Sequence, residues 1–335
     1  MKKLAIYFSL LVVGTMSFAQ IPFDKFLNAS SADANKYLEG YLEPAFVGFG
    51  YGFNSGWYNT GQPHKLFGFD ITAGVSLAAV PEEGQFFTFN NADYTTMNLS
   101  SGTSADLPTL FGPNLHADDI PEITFTNSDP NLPSLRTSAL TGMGIEENEA
   151  YPFSQAMVPA PFAQIGIGLI KNTELKIRLV PEQNIEGNSI KSFGLGVMHD
   201  VKQWIPGMKL LPFDLSAFVG FNSMNTVFVI DETAGQTGEL NISGTTFQAI
   251  ASKKLAILTA YAGLGFLTTS ADFGLKGDFP VSGTTLTDPI SFDYSSGGMR
   301  ANVGARLKLL ILTVHAEYAI QKYNTLTVGL GVSVR

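Results

Sequence analysis

The sequence predicts an all-β protein: an antiparallel transmembrane β-barrel of about 12 strands (12–14), preceded by a short N-terminal helical segment. Three observations predict this class. The chain is apolar and poor in charge, its apolar residues alternate with small or polar ones over unusually long segments, and its N-terminus has the pattern of a secretory signal.

The composition excludes several other classes of protein. Of 335 residues 45% are hydrophobic and 15% are charged, whereas soluble domains carry roughly 25% charged residues. Such a chain is too apolar for intrinsic disorder. The absence of cysteine excludes a disulfide scaffold and a cysteine-ligated metal or redox site. A net charge of −9 argues against a nucleic-acid partner, and no cofactor or metal is predicted.

The N-terminus is typical of a cleaved signal peptide covering residues 1–19. Lys2 and Lys3 precede the apolar run Leu4–Val13, and small residues surround Phe18 before Gln20. That run is too short to span a bilayer, and no later apolar run reaches 18 residues. We therefore expect secretion across the inner membrane of a Gram-negative cell, which leaves a soluble secreted protein or a barrel of the cell outer membrane.

Period-two alternation favours the barrel. From Phe67 to Ala79 every second residue is apolar, over 13 residues, longer than the usual soluble strand. A soluble β-sandwich also alternates, but its outward face should carry many charges. Here the charges lie on the Gly/Thr/Ser face, as expected for a barrel with lipid outside and a polar lumen inside. The candidate lumen and selectivity residues are Asp70, Lys176, Arg178, Arg306, His315 and Glu317.

The predicted barrel covers residues 44–335, with short turns at the periplasmic end and long connections at the outer end. Its strands are 44–53, 66–79, 85–95, 160–170, 174–181, 189–198, 213–222, 241–252, 255–267, 298–308, 311–321 and 324–335. The turn at 81–84 is placed with the other short turns, and a hairpin at Glu122–Thr126 would raise the count to 14. The outer connection 96–159 is acidic: between residues 81 and 150 eleven acids face Arg136 alone. It is predicted to be a solvated loop, and a divalent-cation site there is the less favoured alternative.

Three further features carry predictions. A short interfacial helix is expected from Val201, Trp204, Ile205 and Met208, which anchor it at the membrane surface. The segment 20–43 contains a helix bearing Tyr37, Leu38, Tyr41 and Leu42, which could plug the lumen, lie below it or extend freely. Inward glycine pairs leave space for a close approach or serve curvature only; they are Gly166/Gly168, Gly194/Gly196, Gly263/Gly265 and Gly329/Gly331.

No enzyme is predicted. The four histidines lack a zinc-protease spacing and none has a serine two residues on, and the chain has no P-loop and no G-x-S-x-G motif. The pair His199-Asp200 at a strand end is given a structural role. The charges of His315 and Glu317, with Arg306 and Lys308 on the next strand, are interpreted as a lumenal network.

Several blocks carry a resemblance to a known family. The runs Tyr37–Pro44, Asn54–Trp57, Leu66–Asp70, Ser192–Gly207 and Leu211–Leu215 resemble an uncharacterised outer-membrane barrel family of Bacteroidetes-type bacteria. The architecture is also similar, more distantly, to the long-chain fatty-acid and aromatic-hydrocarbon channels, and this implies an N-terminal plug in the lumen. Arg335 departs from the terminal aromatic residue that is the usual assembly signal.

Two functional hypotheses follow. The first is a passive channel for a small solute, with a hydrophobic solute among the candidates, in which residues 20–43 gate or occlude the lumen and the charged lining sets selectivity. The alternative is a structural or adhesive barrel that displays the acidic loop and transports nothing. Inward glycine and serine favour space for a solute, whereas paired inward charges favour a filled core. The expected partners are outer-membrane lipid and lipopolysaccharide and the outer-membrane assembly machinery.

Overall fold

The computed structural model describes residues 23–126, 134–145, 155–185, 187–281 and 283–334. The signal peptide predicted at residues 1–19 lies outside the described residues. Ten of the described strands form one closed antiparallel barrel, in which the first strand pairs with the last. In this part of the chain no helix is both long and apolar enough to cross a membrane.

Two helices precede the barrel: α1 at Phe23–Phe26 and α2 at Ser31–Phe53. The barrel strands are β1 Phe69–Ala79, β7 Met157–Leu169, β8 Thr173–Ile185, β9 Asn188–Asp200, β10 Asp214–Asp231, β11 Gln236–Leu255, β12 Leu258–Lys276, β15 Ser291–Leu309, β16 Leu312–Ile320 and β17 Thr325–Val334. The shorter strands are β2 Phe86–Asn90, β3 Met97–Leu99, β4 Ser104–Pro108, β5 Glu122–Phe125, β6 Leu135–Ser138, β13 Asp278–Val281 and β14 Thr284–Thr287. Single 3-10 turns lie at Glu82–Gly84, Asn91–Asp93, Ala117–Asp119, Ile170–Asn172, Lys202–Trp204 and Met208–Leu210.

The two ends of the barrel differ. At the turn end, β1 begins, β17 ends, and the connections β7–β8, β9–β10, β11–β12 and β15–β16 turn back. At the loop end lies the long connection from β1 to β7, whose described parts (residues 80–126 and 134–145, here the cap) form the small sheets β2–β4 and β3–β5–β6. The predicted turn at 81–84 therefore lies opposite the other short turns, and its placement was wrong.

The prediction of about 12 strands was wrong by two. Residues 44–53 belong to helix α2, and residues 86–90 pair with β4 in the cap. The stretch from Glu122 forms strand β5, but it pairs with β3 and β6 in the cap and adds no hairpin to the barrel. An even number of strands is retained, as closure of an antiparallel sheet from adjacent strands requires.

Residues 44–53 of helix α2 were mistaken for a strand because glycines there alternate with apolar residues. A Cβ on Gly48 would lie 2.3 Å from Val158, and one on Gly52 would lie 2.7 Å from Ala160. The glycines therefore let the helix backbone approach the inner wall at β7, which a period-two pattern cannot distinguish from strand pairing. The helix begins at the Ser30 cap, whose hydroxyl accepts from the Asp33 amide at 3.2 Å.

Helices α1 and α2 fill the loop-end part of the barrel, here called the upper barrel. Their apolar side chains join inward residues of β10, β11, β12 and β15 and the cap in one buried cluster. Phe46 contacts Phe273, Phe292 and Tyr294, with ring centroids 6.0–6.3 Å apart. The N-terminal half of α2 is held by the cap, where Tyr37 packs on Phe87.

The outer surface changes character at one level of the barrel. Phe247, Phe266 and Met299 lie opposite one another on β11, β12 and β15, and all three are exposed. Their next outward neighbours toward the loop end are Thr245, Thr268 and Gly297, again paired with one another, and then three serines. From this level to the turn end the outward residues form an apolar belt, roughly 20 to 25 Å tall for strands tilted by about 40°.

Candidate functional site

The part of the barrel within the apolar belt, here called the lower barrel, is filled by residues 54–66, the plug segment. The segment leaves the C-terminus of α2 and runs to the turn end, where the Phe67 amide donates to the Gly168 carbonyl. Its first contacts serve the helix end. Arg178 donates to the carbonyls of Phe53 (2.7 Å) and Ser55 (2.9 Å), and Asn222 also donates to the Phe53 carbonyl (2.6 Å). The barrel wall thereby donates hydrogen bonds to carbonyls at the end of the helix, where the helix itself offers no donors.

Arg178 also binds the plug segment through its flat guanidinium. The guanidinium carbon lies 3.9 Å from the Trp57 ring centre and 4.4 Å from that of Phe162. Its Nε donates to Gln164 Oε1 at 3.0 Å, and Gln164 donates in turn to the Trp57 carbonyl. This desolvated cation–π arrangement joins wall and plug at the middle of the lumen.

The Trp57 ring lies against three glycines of β9 and β10, here called the glycine floor. Cβ atoms built on Gly194, Gly196 and Gly220 would lie 3.0, 3.1 and 2.9 Å from its ring atoms. The Phe218 ring lies beside the indole, 5.5 Å between ring centroids, and covers Gly196 and Gly220 as well. The pair Gly194/Gly196 therefore allows the Trp57 ring to approach the barrel wall closely, which is one of the two alternatives raised by the sequence.

A buried ion pair joins the neighbouring strands β15 and β16 and faces the plug segment. Arg300 Nη2 and Glu317 Oε1 are 2.6 Å apart, and both side chains are 1% exposed. Arg300 also donates to the Ser55 hydroxyl, while Asn302 donates to Glu317 and accepts from the Tyr58 hydroxyl. Such paired inward charges favour a filled core over an open lumen.

A second charged cluster closes the lumen at the turn end. His64 Nδ1 lies 3.0 Å from Glu174 Oε2 and 3.7 Å from Asp70 Oδ1, and the His64 amide donates to the same Glu174 oxygen. Lys176 donates to Glu174 Oε1 and lies 4.0 Å from Asp70. His64 Nε2 is 3.1 Å from the Ser333 hydroxyl.

The six candidate lumen residues are all buried and face inward. Arg306 donates to Asn59 at 3.0 Å, and Lys308 donates to Ser333. His315 lies against Gly329, and neither of its ring nitrogens has a hydrogen-bond partner among the described residues. Arg178, Arg306 and Glu317 belong to networks that reach the plug segment, and Asp70 and Lys176 lie in the cluster around His64. Their proposed part in selectivity stays a prediction.

Several residues of this site were missed. Glu174 and Arg300 share the inward parity of Lys176 and Arg306, so the period-two rule that selected the latter pair could have selected both. Trp57 and His64 lie in a segment without periodicity, where no pattern in the sequence marks a buried residue.

The other candidate residues lie at the two ends. Tyr37, Leu38, Tyr41 and Leu42 are buried among the upper barrel and the cap, above the plug segment.

The predicted interfacial helix was wrong as a continuous helix. Two 3-10 turns flank Pro206 and Gly207, and the φ of +79° at Gly207 breaks the helical path. Trp204 is exposed at the turn end and donates to His199 Nε2 at 2.8 Å, while His199 Nδ1 lies 2.8 Å from the Thr173 hydroxyl.

At the loop end of the barrel, Asp33 joins the start of α2 to the cap. Its carboxylate accepts from the amides of Thr95 (3.0 Å) and Thr96 (2.5 Å) and from both hydroxyls. Burial raises the pKa of Asp33, but the hydrogen bonds from Thr96 and Thr95 outweigh it and hold the pKa below its ordinary value.

Comparison with known proteins now gives the family. A family model described as a family of unknown function, DUF6588, matches residues 1–334. The chain belongs to DUF6588. The search of curated proteins found no match.

Solved barrels resemble the structure at low similarity. The attachment invasion locus protein Ail of Yersinia pestis, in complex with the heparin analogue sucrose octasulfate, has 9% identity and a TM-score of 0.29, covering 80% of this chain and 99% of that one. The translocator domain of the autotransporter NalP from Neisseria meningitidis has 11% identity and a TM-score of 0.27, covering 91% and 98%. The transport unit of the autotransporter AIDA-I from Escherichia coli has 10% identity and a TM-score of 0.29, covering 91% and 99%. Neither the bacterial group nor the resemblance to fatty-acid channels is tested by these matches.

Proposed function

We propose that the chain is an outer-membrane β-barrel whose lumen is closed by its own N-terminal segment and which carries the acidic cap at the outer end. The observation that supports the membrane setting is the apolar belt of the lower barrel, which ends at the same level on three adjacent strands. In water such a belt would expose far more contiguous apolar surface than soluble proteins tolerate.

The contents of the lower barrel support a closed state over an open pore. Helix carbonyls, the Trp57 ring and the Tyr58 hydroxyl are each bound by wall residues, and the ion pair of Arg300 and Glu317 is desolvated. Removing the plug segment would take the Ser55 carbonyl and the Trp57 ring from Arg178, and the Ser55 hydroxyl from Arg300. This favours display of the cap over passive conduction.

The belt is tested by a matched pair of substitutions on β12. Leu264 and Ser270 both face outward, but Leu264 lies within the belt and Ser270 above it. In lipid, L264R should destabilise the folded barrel by about 2 to 4 kcal/mol, since arginine is costly at the centre of a bilayer. S270R should change little. Unfolding of both variants from lipid vesicles by guanidinium measures the difference, and equal stabilities would contradict a membrane belt.

A second candidate function, passage of a small apolar solute, is favoured by one observation. Strands β7 and β8 pair only from Gln164/Arg178 to Leu169/Thr173, so β7 residues 158–163 and β8 residues 179–185 are not paired with each other. The seam between them contains Pro159, Pro161 and Pro181, which bring no backbone N–H groups to its edges. Helix α2 lies behind β7 at this seam.

A matched pair also tests the solute route. Leu179 is exposed on β8 at the seam, whereas Leu195 is exposed on β9 and paired on both sides. If an apolar solute crosses the seam, L179Q should slow the transfer of an apolar fluorescent dye into protein-containing vesicles, and L195Q should not. Equal rates in wild type, both variants and protein-free vesicles would exclude this route.

A further inference from the structure

The cluster at the turn end contains two buried ligand atoms that point at the same place and lack hydrogen-bond partners. These are His64 Nδ1 and Asp70 Oδ1, which make no hydrogen bond within the described chain. The side chains are 8% and 6% exposed. Leaving such groups unsatisfied is costly in a protein interior. A ligand that binds both an imidazole nitrogen and a carboxylate oxygen would fit between these two atoms.

The distances from His64 to the two carboxylates suit a common cation. In a tetrahedral site with ligand bonds of about 2.0 to 2.1 Å, neighbouring ligand atoms are about 3.3 Å apart. The distances from His64 Nδ1 to Glu174 Oε2 and to Asp70 Oδ1, 3.0 and 3.7 Å, bracket that value. Ligand atoms of the three side chains all lie within 4.8 Å of one another.

The surroundings orient these ligands. The Ser333 hydroxyl contacts His64 Nε2, which leaves Nδ1 directed at the carboxylates. Lys308 holds that hydroxyl, and the Thr72 hydroxyl donates to the second oxygen of Asp70. A Cβ on Gly166 would lie 2.2 Å from Asp70 Oδ1, and one on Gly168 would lie 2.6 Å from the His64 carbonyl. The glycine pair of β7 therefore makes room for the cluster.

We propose that His64, Asp70 and Glu174 form a binding site for a late first-row divalent cation, with Zn²⁺ as its best match. One imidazole and two carboxylates suit zinc, whereas calcium and magnesium prefer oxygen-only sets of six or more ligands. The cation fastens the end of the plug segment to the starts of β1 and β8. Lys176 is the resident positive charge: it contacts the Glu174 oxygen that is not directed at His64.

The role of Lys176 gives the proposal a distinctive test. Because its ammonium competes with a bound cation by charge, K176Q should bind Zn²⁺ more tightly than wild type, by about tenfold. H64Q and D70N should each weaken binding at least tenfold, since each removes a ligand. H315A is the matched control: His315 is a buried lumen histidine with two unpartnered nitrogens and lies outside this cluster.

The measurement is Zn²⁺ titration of the full chain folded in detergent micelles, by competition with a chromophoric chelator, with heat-modifiable gel migration as the check on folding. The expected result is one site per chain that is present in H315A and lost in H64Q and D70N. Equal affinity in wild type, H64Q and D70N, or no binding by wild type and K176Q, would overturn the proposal. If H64Q fails to fold, two other results test the proposal: weaker Zn²⁺ binding in D70N and a Zn²⁺-dependent rise of the melting temperature in K176Q support it, and the absence of both overturns it.

Discussion

The upper and the lower barrel have opposite polarity, although the same strands run through both. In the upper barrel the interior is apolar, as at Leu240 and Phe273, and the outward residues are hydroxylic or acidic, as at Ser270 and Asp272. In the lower barrel the interior carries the charged network and the exterior is the apolar belt. The upper part is built like a soluble protein and the lower part like a membrane barrel.

The reversal can be located in the sequence of a single strand. Along β12 the apolar residues occupy outward positions up to Phe266 and inward positions from Leu267 onward. The two stretches have the same period but opposite parity, so the alternation is interrupted where they meet. This is why the predicted strand ended at 267 when β12 continues to Lys276, and why the strand predicted at 213–222 stopped short of Asp231.

The largest expected effect comes from breaking the charged network of the lower barrel. E317A leaves Arg300 buried without its partner, and we expect a loss of about 3 to 5 kcal/mol of unfolding free energy. K322A removes the exposed pair of Lys322 and Glu43, for which about 0 to 1 kcal/mol is expected. Guanidinium unfolding in micelles measures both; a small effect of E317A would mean that the network is hydrated.

Breaking the apolar packing of the upper barrel comes next. Leu42 is fully buried on α2, and L42A should cost about 2 to 4 kcal/mol through lost burial and the cavity that remains. This loss should be nearly independent of salt concentration, because no charge is involved. Urea unfolding at low and high salt measures it, and a loss that changed strongly with salt would contradict an apolar upper barrel.

A smaller effect tests the glycine floor under Trp57. G220A places a methyl group 2.8 Å from the Phe218 ring and 2.9 Å from the indole, and we expect a cost of about 1 to 3 kcal/mol from overpacking. Adding W57F, which shortens the ring system, should recover only the part of this loss that is due to the indole. A G220A chain as stable as wild type would show that neither ring occupies that floor in solution.

The smallest effect concerns the tether between α2 and the cap. D33N retains the shape of the side chain but weakens the hydrogen bonds from Thr95 and Thr96, at a cost of about 1 kcal/mol. Because the pKa of Asp33 is lower in the folded protein than in the unfolded one, its contribution is present above the unfolded pKa of about 3.9 and is lost as the pH falls through the folded pKa. The difference in stability between wild type and D33N, followed from pH 6 to pH 2, should therefore shrink.

Much of the lower barrel could be predicted from the sequence, since an apolar exterior and a polar interior give every strand the same simple alternation. Lys176, Arg178 and Arg306 were found by that parity alone. The plug segment could not be predicted, because its partners are the barrel wall and its own sequence has no period. Helix α2 was divided at Pro44, where its glycines begin to alternate, although its helical path continues to Phe53.

The central claim is that residues 54–66 close the lower barrel, and planar-bilayer conductance tests it most directly. Three chains are compared: residues 20–335, residues 44–335 and residues 67–335. The account predicts no conductance steps for the first two and steady open-pore steps for the third, since only the third lacks the plug segment. Open-pore steps from residues 20–335, or equal conductance from the two shorter chains, would contradict it.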